Sequence, residues 1–376
     1  MPVSAISDPE AVRIVIAGGG TGGHLYPGLA LAEAIQRQAP GSRIVFMGTP
    51  RGLEARVVPR EGYELVLLPV RGLLRKVTLE NLLFPFRLLW SVIRSMLFFR
   101  RFRPQLVIGT GGYVSGPALI AAQLMRIPTV IQEQNSYPGL VNRWLGKHAT
   151  AVFLAFESAR RYFPKSNRVF VEGNPVRGLS RDVNRDEAYR RFGLKPDVKT
   201  VLIFGGSQGA RKLNEIVGRM LSDTDFVKNK QILWITGPKW FEAWRHYHQT
   251  QHGRIRVLDY CHNMHEAYAV ADLAVCRAGA LTIAELTIWG IPAIYVPFPF
   301  ATADHQTQNA RAVADAGGGL VLPESELSEA KLAKTIESVL QDDEKLHAMA
   351  EAARRLGRPE AADRIAEKCL QWIRKP

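Results

Sequence analysis

The chain has 376 residues, of which 47% are hydrophobic and 22% charged. That length exceeds one ordinary domain, and 32 Gly and 22 Pro exclude a collagen-like or low-complexity protein. Lys and Arg outnumber Asp and Glu by 49 to 35, a formal net charge of +14, which favours polyanionic partners (nucleic acid, an anionic bilayer or phosphorylated substrates) without choosing among them.

Met1–Val12 carries no basic-then-apolar leader pattern. Arg13–Ala17 is an apolar run that predicts a buried strand, and it ends in Gly18-Gly-Gly-Thr-Gly-Gly-His24. A helix follows to about Gln38, with Pro27 expected in its first turn, where a missing N–H costs nothing. Further strands are predicted at Arg43–Met47, Leu65–Pro69, Leu106–Ile108, Thr129–Gln132 and Ala151–Leu154, separated by helical segments. Near residue 200 the pattern restarts. Thr200–Phe204 ends in Gly205-Gly-Ser-Gln-Gly209 and leads into a helix from about Ala210. Strands at Ile232–Thr236, Arg256–Asp259, Leu273–Cys276 and Ala293–Val296 follow, and Glu360–Ile373 closes the chain as a helix. Alternating strands and helices predict an α/β protein with two consecutive doubly wound parallel sheets, divided near Gly173-Asn-Pro-Val-Arg177. No run of about 18 uncharged apolar residues occurs, so no transmembrane helix is expected. Cys261, Cys276 and Cys369 are scattered without metal-type spacing and read as reduced thiols.

Three glycine-rich loops each follow a strand: Gly18–Gly23, Gly109–Gly116 and Gly205–Gly209. Glycine lets backbone approach a phosphate, and a helix starting there points free N–H groups at the anion. Tight-turn geometry alone is the competing explanation for any one loop. Gly18-x-Gly20-x-x-Gly23 matches a dinucleotide fingerprint, but the second strand ends in Met47-Gly48-Thr49-Pro50, with no acid for the ribose, which disfavours NAD. The phosphate-loop pattern with Gly-Lys-Ser/Thr is absent.

The longer motifs are more specific. Gly19-Gly-Thr-Gly-Gly-His24, Thr110-Gly-Gly-Tyr-Val-Ser-Gly-Pro117, Glu133-Gln-Asn135, Gly173-Asn-Pro-Val-Arg177, Gly205-Gly-Ser-Gln-Gly-Ala210, Arg277-Ala-Gly-Ala-Leu-Thr-Ile-Ala-Glu285 and Asp304-His-Gln-Thr307, with Asn309-Ala310, occur in an order that resembles the MurG family over nearly the whole chain. The resemblance implies a GT-B fold, two Rossmann-like domains facing a cleft. Residues 1–175 would form the acceptor and membrane domain, with a final helix at 360–376 packing back on it, and 176–359 the UDP-sugar domain. It implies transfer of N-acetylglucosamine from UDP-N-acetylglucosamine to the 4-hydroxyl of the muramyl sugar of undecaprenyl-linked lipid I, giving lipid II with a β-1,4 bond. That enzyme would work at the cytoplasmic face of the plasma membrane, peripherally, within a possible cell-wall synthesis complex.

Carried residue by residue, the resemblance implies a donor site of Thr21, Gly22, Gly23, Asn135, Arg177, Ser207, Cys261, Ala280, Leu281, Thr282, Ile283, Ala284, Glu285 and Gln306. Glu285 would accept bonds from both ribose hydroxyls, although Thr282-x-x-Glu285 also matches a helix capping box. Ser207 and the N–H groups of Gly206–Gly209 would hold the diphosphate, with Arg177 adding charge. His24 is the candidate base, because an imidazole titrates near neutrality. Gly111, Gly112, Tyr113 and Gln134 would meet the acceptor, with Arg71 and Arg75 nearby. No metal and no cofactor are needed. Asp223-Thr-Asp225 lies outside the motifs and reads as a solvated turn.

Leu79–Arg103 interleaves Leu82, Phe84, Phe86, Trp90, Ile93, Leu97 and Phe98 with Arg87, Arg94, Arg100, Arg101 and Arg103. That pattern fits a helix lying on an anionic membrane surface, against the alternative of a core helix with basic flanks. The basic residues form no stripe with stacking aromatics, so nucleic acid is not an expected partner. A UDP-sugar 2-epimerase on the same fold is the rival enzyme, and it would need no lipid affinity.

Overall fold

A computed structural model describes residues 11–72, 83–164, 168–177, 183–249 and 253–374. The chain divides into two compact units: Met1–Arg177 with Pro359–Pro376, and Gly178–Arg358.

In the first unit the order is β1 (Arg13–Gly18), α1 (Gly22–Gln38), β2 (Arg43–Gly48), α2 (Glu54–Arg60), β3 (Glu64–Leu67), α3 (Phe84–Phe102), β4 (Leu106–Gly111), α4 (Ser115–Leu124), β5 (Thr129–Glu133), α5 (Leu140–Leu145), β6 (Ala151–Leu154) and β7 (Val169–Val171). Among the described residues these strands make one seven-stranded sheet, ordered β3-β2-β1-β4-β5-β6-β7, with every pairing parallel. Helices cover both faces, so β1, β4, β5 and β6 are near-continuous apolar runs. Ile14 and Ile16 face one layer of core, Val15 and Ala17 the other.

In the second unit β8 (Thr200–Phe204), β9 (Gln231–Ile235), β10 (Ile255–Leu258), β11 (Leu273–Cys276), β12 (Ala293–Tyr295) and β13 (Gly319–Val321) form a parallel sheet ordered β10-β9-β8-β11-β12-β13. Its helices are α6 (Arg185–Phe192), α7 (Arg211–Leu221), α8 (Phe241–Trp244), α9 (Met264–Val270), α10 (Ala280–Trp289), α11 (His305–Ala314), α12 (Glu329–Leu340) and α13 (Asp343–Leu356). The last helix, α14 (Ala361–Arg374), belongs to the first unit. It packs on α1, inserting Ile365, Ala366 and Cys369 into the core, and Trp372 stacks on Phe153 at 6.0 Å.

Several expectations need adjusting. Two three-residue strands, β7 and β13, escaped prediction because they are too short to show alternation. The third strand runs Glu64–Leu67 rather than reaching Pro69. Pro27 sits inside α1, not in its first turn, because the helix already begins at Gly22; Pro27 therefore offers no N–H to the carbonyl one turn earlier.

Strand order places the functional loops. In an open parallel sheet, ligands gather at the carboxyl ends of strands where the order reverses. In the first unit that point lies between β1 and β4, and Gly18 pairs with Gly111 across a register shift. In the second it lies between β8 and β11, which pair through Phe204 and Cys276.

Candidate active site

At the first switch point, the loop after β1 is held by the protein's own groups. Glu54, only 1% exposed, accepts from Gly20 N at 2.9 Å with one oxygen, and from Thr49 N at 2.9 Å and Thr49 Oγ1 at 2.8 Å with the other. Gly19 and Gly52 make room for this carboxylate and Gly48 for its Cγ, since a Cβ on any of them would lie within 2.5 Å of the Glu54 side chain. Gly20 takes φ +83, a conformation that favours glycine. The loop that resembled a phosphate cradle thus already holds an internal anion at Gly20. Glu54 is not legible from the dinucleotide fingerprint, which places its acid at the end of β2. Glu54 stands six residues beyond Gly48 and turns inward to the loop.

Thr21 is the exposed N-cap of α1, and its carbonyl accepts from His24 N and Leu25 N, both at 3.2 Å. Gly22, Gly23 and His24 form the first turn. His24 Nδ1 lies 2.9 Å from Gln134 Oε1 and 3.2 Å from Thr110 O, while Thr110 Oγ1 donates to the His24 carbonyl at 2.7 Å. Gly111 and Gly112, at φ +100 and +76, lie against the imidazole; a Cβ on Gly111 would stand 2.7 Å from Nδ1. Tyr113 is 37% exposed beside Gly20 and Gly72. His24, Gly111, Gly112, Tyr113 and Gln134 are therefore one cluster.

Two residues assigned to ligands have other engagements. Gln134 is buried, and its amide is spent on His24, Thr110 and Gln132, leaving no exposed group for an acceptor sugar. Arg177 pairs with Glu33 and, at 2.6 Å, with Glu61. These contacts hold the Glu61 carboxyl below its usual range and raise the guanidinium further, so its charge is spent within the first unit. Asn135 N donates to Glu133 Oε1 at 3.0 Å, and the other Glu133 oxygen takes Gly139 N and Asn142 Nδ2, so a buried carboxylate shapes that turn as well. Arg71 is described; Arg75 and Leu82 lie outside the described residues.

At the second switch point a cavity of about 650 Å³ opens between the loop after β8 and the start of α10, lined by Gly205, Gly206, Gly209–Lys212, Glu215, Arg277, Gly279, Thr282, Phe298, Gln306 and Glu324. Gly206 and Gly209 take φ +88 and +72. The N-caps of α7 and α10, Ala210 and Gly279, provide no side-chain cap, and both helices begin at the cavity, where a helix N-terminus favours an anion. Arg211 and Lys212 add positive charge. Arg277 is 8% exposed, bonded to the carbonyls of Val296 and Pro297 at 3.1 Å and paired with Glu324.

Ser207 is exposed on the loop. Gln306 Oε1 accepts from Phe298 N at 2.9 Å, and the residue lines the cavity. Ala280 and Ile283 are buried, and Leu281, Thr282, Ala284 and Glu285 half-buried, on α10. The capping-box alternative for Thr282 and Glu285 fails, because α10 starts at Ala280 with Gly279 as N-cap. Glu285 instead accepts from Tyr268 Oη at 2.5 Å. Burial pushes its carboxyl above the usual range, and the tyrosine bond opposes that shift. Cys261 is buried, with its thiol pushed up by desolvation. Asp223 accepts from Asp225 N at 3.0 Å, and Asp225 pairs with Lys228 at 2.8 Å.

Two Rossmann-like units, one carrying an oriented histidine and the other an anion-favouring cavity beside a carboxylate, define a GT-B glycosyltransferase. Family models agree: the glycosyltransferase family 28 N-terminal domain matches residues 14–154, and the family 28 C-terminal domain matches 200–365. A protein of Myxococcus xanthus, 44% identical over 96% of this chain and 93% of its own length, is named UDP-N-acetylglucosamine--N-acetylmuramyl-(pentapeptide) pyrophosphoryl-undecaprenol N-acetylglucosamine transferase. One of Desulforamulus reducens with the same name is 41% identical over 96% of this chain and 99% of its own. The crystal structure of Acinetobacter baumannii MurG superposes with a TM-score of 0.77 at 29% identity, covering 96% of this chain and 99% of that one. The chain belongs to glycosyltransferase family 28 and, within it, to the MurG transferases.

Proposed function

We propose that this protein transfers N-acetylglucosamine from UDP-N-acetylglucosamine to the 4-hydroxyl of the muramyl sugar of an undecaprenyl-diphosphate-linked pentapeptide. The observation that carries this reading is near-full-length similarity to transferases of that name, joined to a unit-2 cavity lined by glycine backbone, two helix starts, Arg211 and Lys212.

Glu285 offers Oε1 to the ribose while Tyr268 holds Oε2. The N–H groups beginning α7 and α10, with Arg211 and Lys212, face the diphosphate and stabilise the charge that gathers on departing UDP. Ser207 and Gln306 flank it, and Cys261 and the Ala280–Glu285 turn line the nucleoside. Thr21, Gly22, Gly23 and Asn135 complete the donor set, while Arg177, paired with Glu33 and Glu61, stays outside it. In the first unit, His24 takes the proton from the acceptor hydroxyl. The acceptor oxygen bonds to C1 of the sugar as the C1–O bond to UDP breaks, with inversion giving the β linkage.

The acceptor is a lipid, and α3 suits a lipid surface. Its inner face is Ser91, Val92, Ser95 and Phe99, whereas Phe86 is 70% exposed, Trp90 54% and Leu97 55%. Val92 and Phe99 thus pack into the core beside the serines while other large apolar groups face outward, so the helix is apolar on both faces rather than on its core face alone. Arg94, Arg100 and Arg101 stand exposed beside them. Leu124, Leu140 and Trp144 are exposed on α4 and α5. No described helix is long and apolar enough to cross a membrane, and a basic, apolar-faced helix of this kind binds peripherally.

Purified protein with labelled UDP-N-acetylglucosamine, a short-chain acceptor and EDTA should release UDP and form a disaccharide-lipid. His24→Ala should lose kcat by about 10²–10⁴-fold, and Glu285→Ala should mainly raise donor KM. UDP-sugar binding without product would overturn the assignment and favour the epimerase. With anionic vesicles, Phe86→Ala/Trp90→Ala should reduce binding while sparing kcat on the short-chain acceptor; unchanged vesicle binding would remove α3 from the membrane surface.

A further inference from the structure

Gln132, Gln134 and Asn174 are 0%, 1% and 4% exposed, three amides in the interior of the first unit. The direction of each can be read from backbone carbonyls, which only accept. Asn174 Nδ2 donates to the Gln134 carbonyl at 3.1 Å, so its Oδ1 is the atom that accepts from Gln132 Nε2, also at 3.1 Å. Gln132 therefore turns Oε1 toward Gln134 and accepts from Gln134 Nε2. The same Nε2 donates to Thr110 O at 2.7 Å and to Gln132 O at 3.1 Å. Nothing is left for Gln134 Oε1 except to face His24 Nδ1, at 2.9 Å.

An amide oxygen and the Thr110 carbonyl thus converge on Nδ1, and both require a hydrogen there. We propose that Gln134 is the positioning residue that fixes His24 as the Nδ1–H tautomer, its own orientation dictated by Gln132 and Asn174 through this one-way amide relay. The ring's Nε2 then keeps its lone pair, and among the described residues no group bonds it. Gly111 completes the arrangement, because a Cβ there would stand 2.7 Å from Nδ1 and push the imidazole off its acceptors, while Gly112 leaves room for the Gly19 carbonyl behind the ring. The relay is neutral throughout, so it sets the tautomer without placing a carboxylate against the imidazole. The catalytic consequence rests on reading His24 as the base.

The test combines a spectroscopic and a kinetic readout. In ¹⁵N-histidine-labelled full-length protein, the His24 ring signals, identified among nine histidines by their loss in His24→Ala, should report Nδ1–H at neutral pH. Gln134→Leu should shift His24 toward the other tautomer, lower kcat at least tenfold and leave donor KM within twofold. Placed on His24→Ala, Gln134→Leu should add no further loss, the signature of two residues acting as one unit. An Nε2–H tautomer in the unmodified protein, an unchanged tautomer in Gln134→Leu, or a loss confined to KM would overturn the proposal. Full activity in His24→Ala would instead remove the base reading, and the ring spectrum would still decide the tautomer.

Discussion

The loops after β1 and β8 share one local grammar, strand then glycines then helix, yet the protein uses them oppositely. The β1 loop is filled from within: Glu54 takes the Gly20 N–H, and Thr110 and Gln134 grip His24. The β8 loop is left open, with two helix starts and basic side chains around a cavity of about 650 Å³. Glycine content alone therefore does not identify an anion site. What decides is whether an internal group already satisfies the N–H donors the glycines expose.

Removing the internal anion tests that contrast most severely. Glu54→Ala leaves two buried donors on Thr49 and the half-buried Gly20 N–H without an acceptor and should cost about 2–5 kcal/mol, at about 1–3 kcal/mol for each stranded buried donor. Urea unfolding should show the loss, and UDP affinity measured where the protein stays folded should be spared. A weakened UDP site with unaltered stability would break the comparison.

A smaller effect is expected on the open loop. Lys212→Ala should weaken UDP binding by about 1 kcal/mol, a fivefold rise in Kd, because it removes a charge near a helix end. Titration calorimetry should also show a shallower salt dependence. Equal affinity would mean that backbone N–H groups suffice.

Glu285→Gln separates stability from binding by pH. The folded protein holds the Glu285 proton more tightly than the unfolded chain does, since burial raises the carboxyl above its usual range. Wild-type stability should therefore fall as pH rises from about 4.5 through the raised value, the unfolded chain releasing its proton first. Glu285→Gln should flatten that slope and match or exceed wild-type stability at pH 7, while donor KM rises. A urea-midpoint series across pH 4–8 measures it, and parallel slopes would contradict the buried charge. The smallest change is Tyr268→Phe, which frees Glu285 Oε2 and should raise donor KM by less than tenfold at unchanged kcat.

The sheets were largely readable because parallel strands buried on both faces are unbroken apolar runs, as in Ile14–Ala17 and Val201–Phe204. The three-residue strands β7 and β13 were not, because no periodicity survives in so few residues. His24 and Glu285 were legible through long ordered motifs. Glu54, Gln132 and Asn174 were not, since a polar residue turned inward looks in sequence like one turned outward. Arg177 and Gln134 show the converse, motif residues whose polar atoms the structure spends on the protein itself.

By itself, then, the sequence determined the two doubly wound sheets, the family and the glycine loops, all properties carried by neighbouring residues and their order. Only tertiary structure decided which loop stays open, which tautomer His24 holds and which oxygen of Glu285 is free. Those depend on partners distant along the chain, 34 residues from Gly20 to Glu54 and 110 from His24 to Gln134. Packing brings them within hydrogen-bond reach, and no local pattern records the meeting.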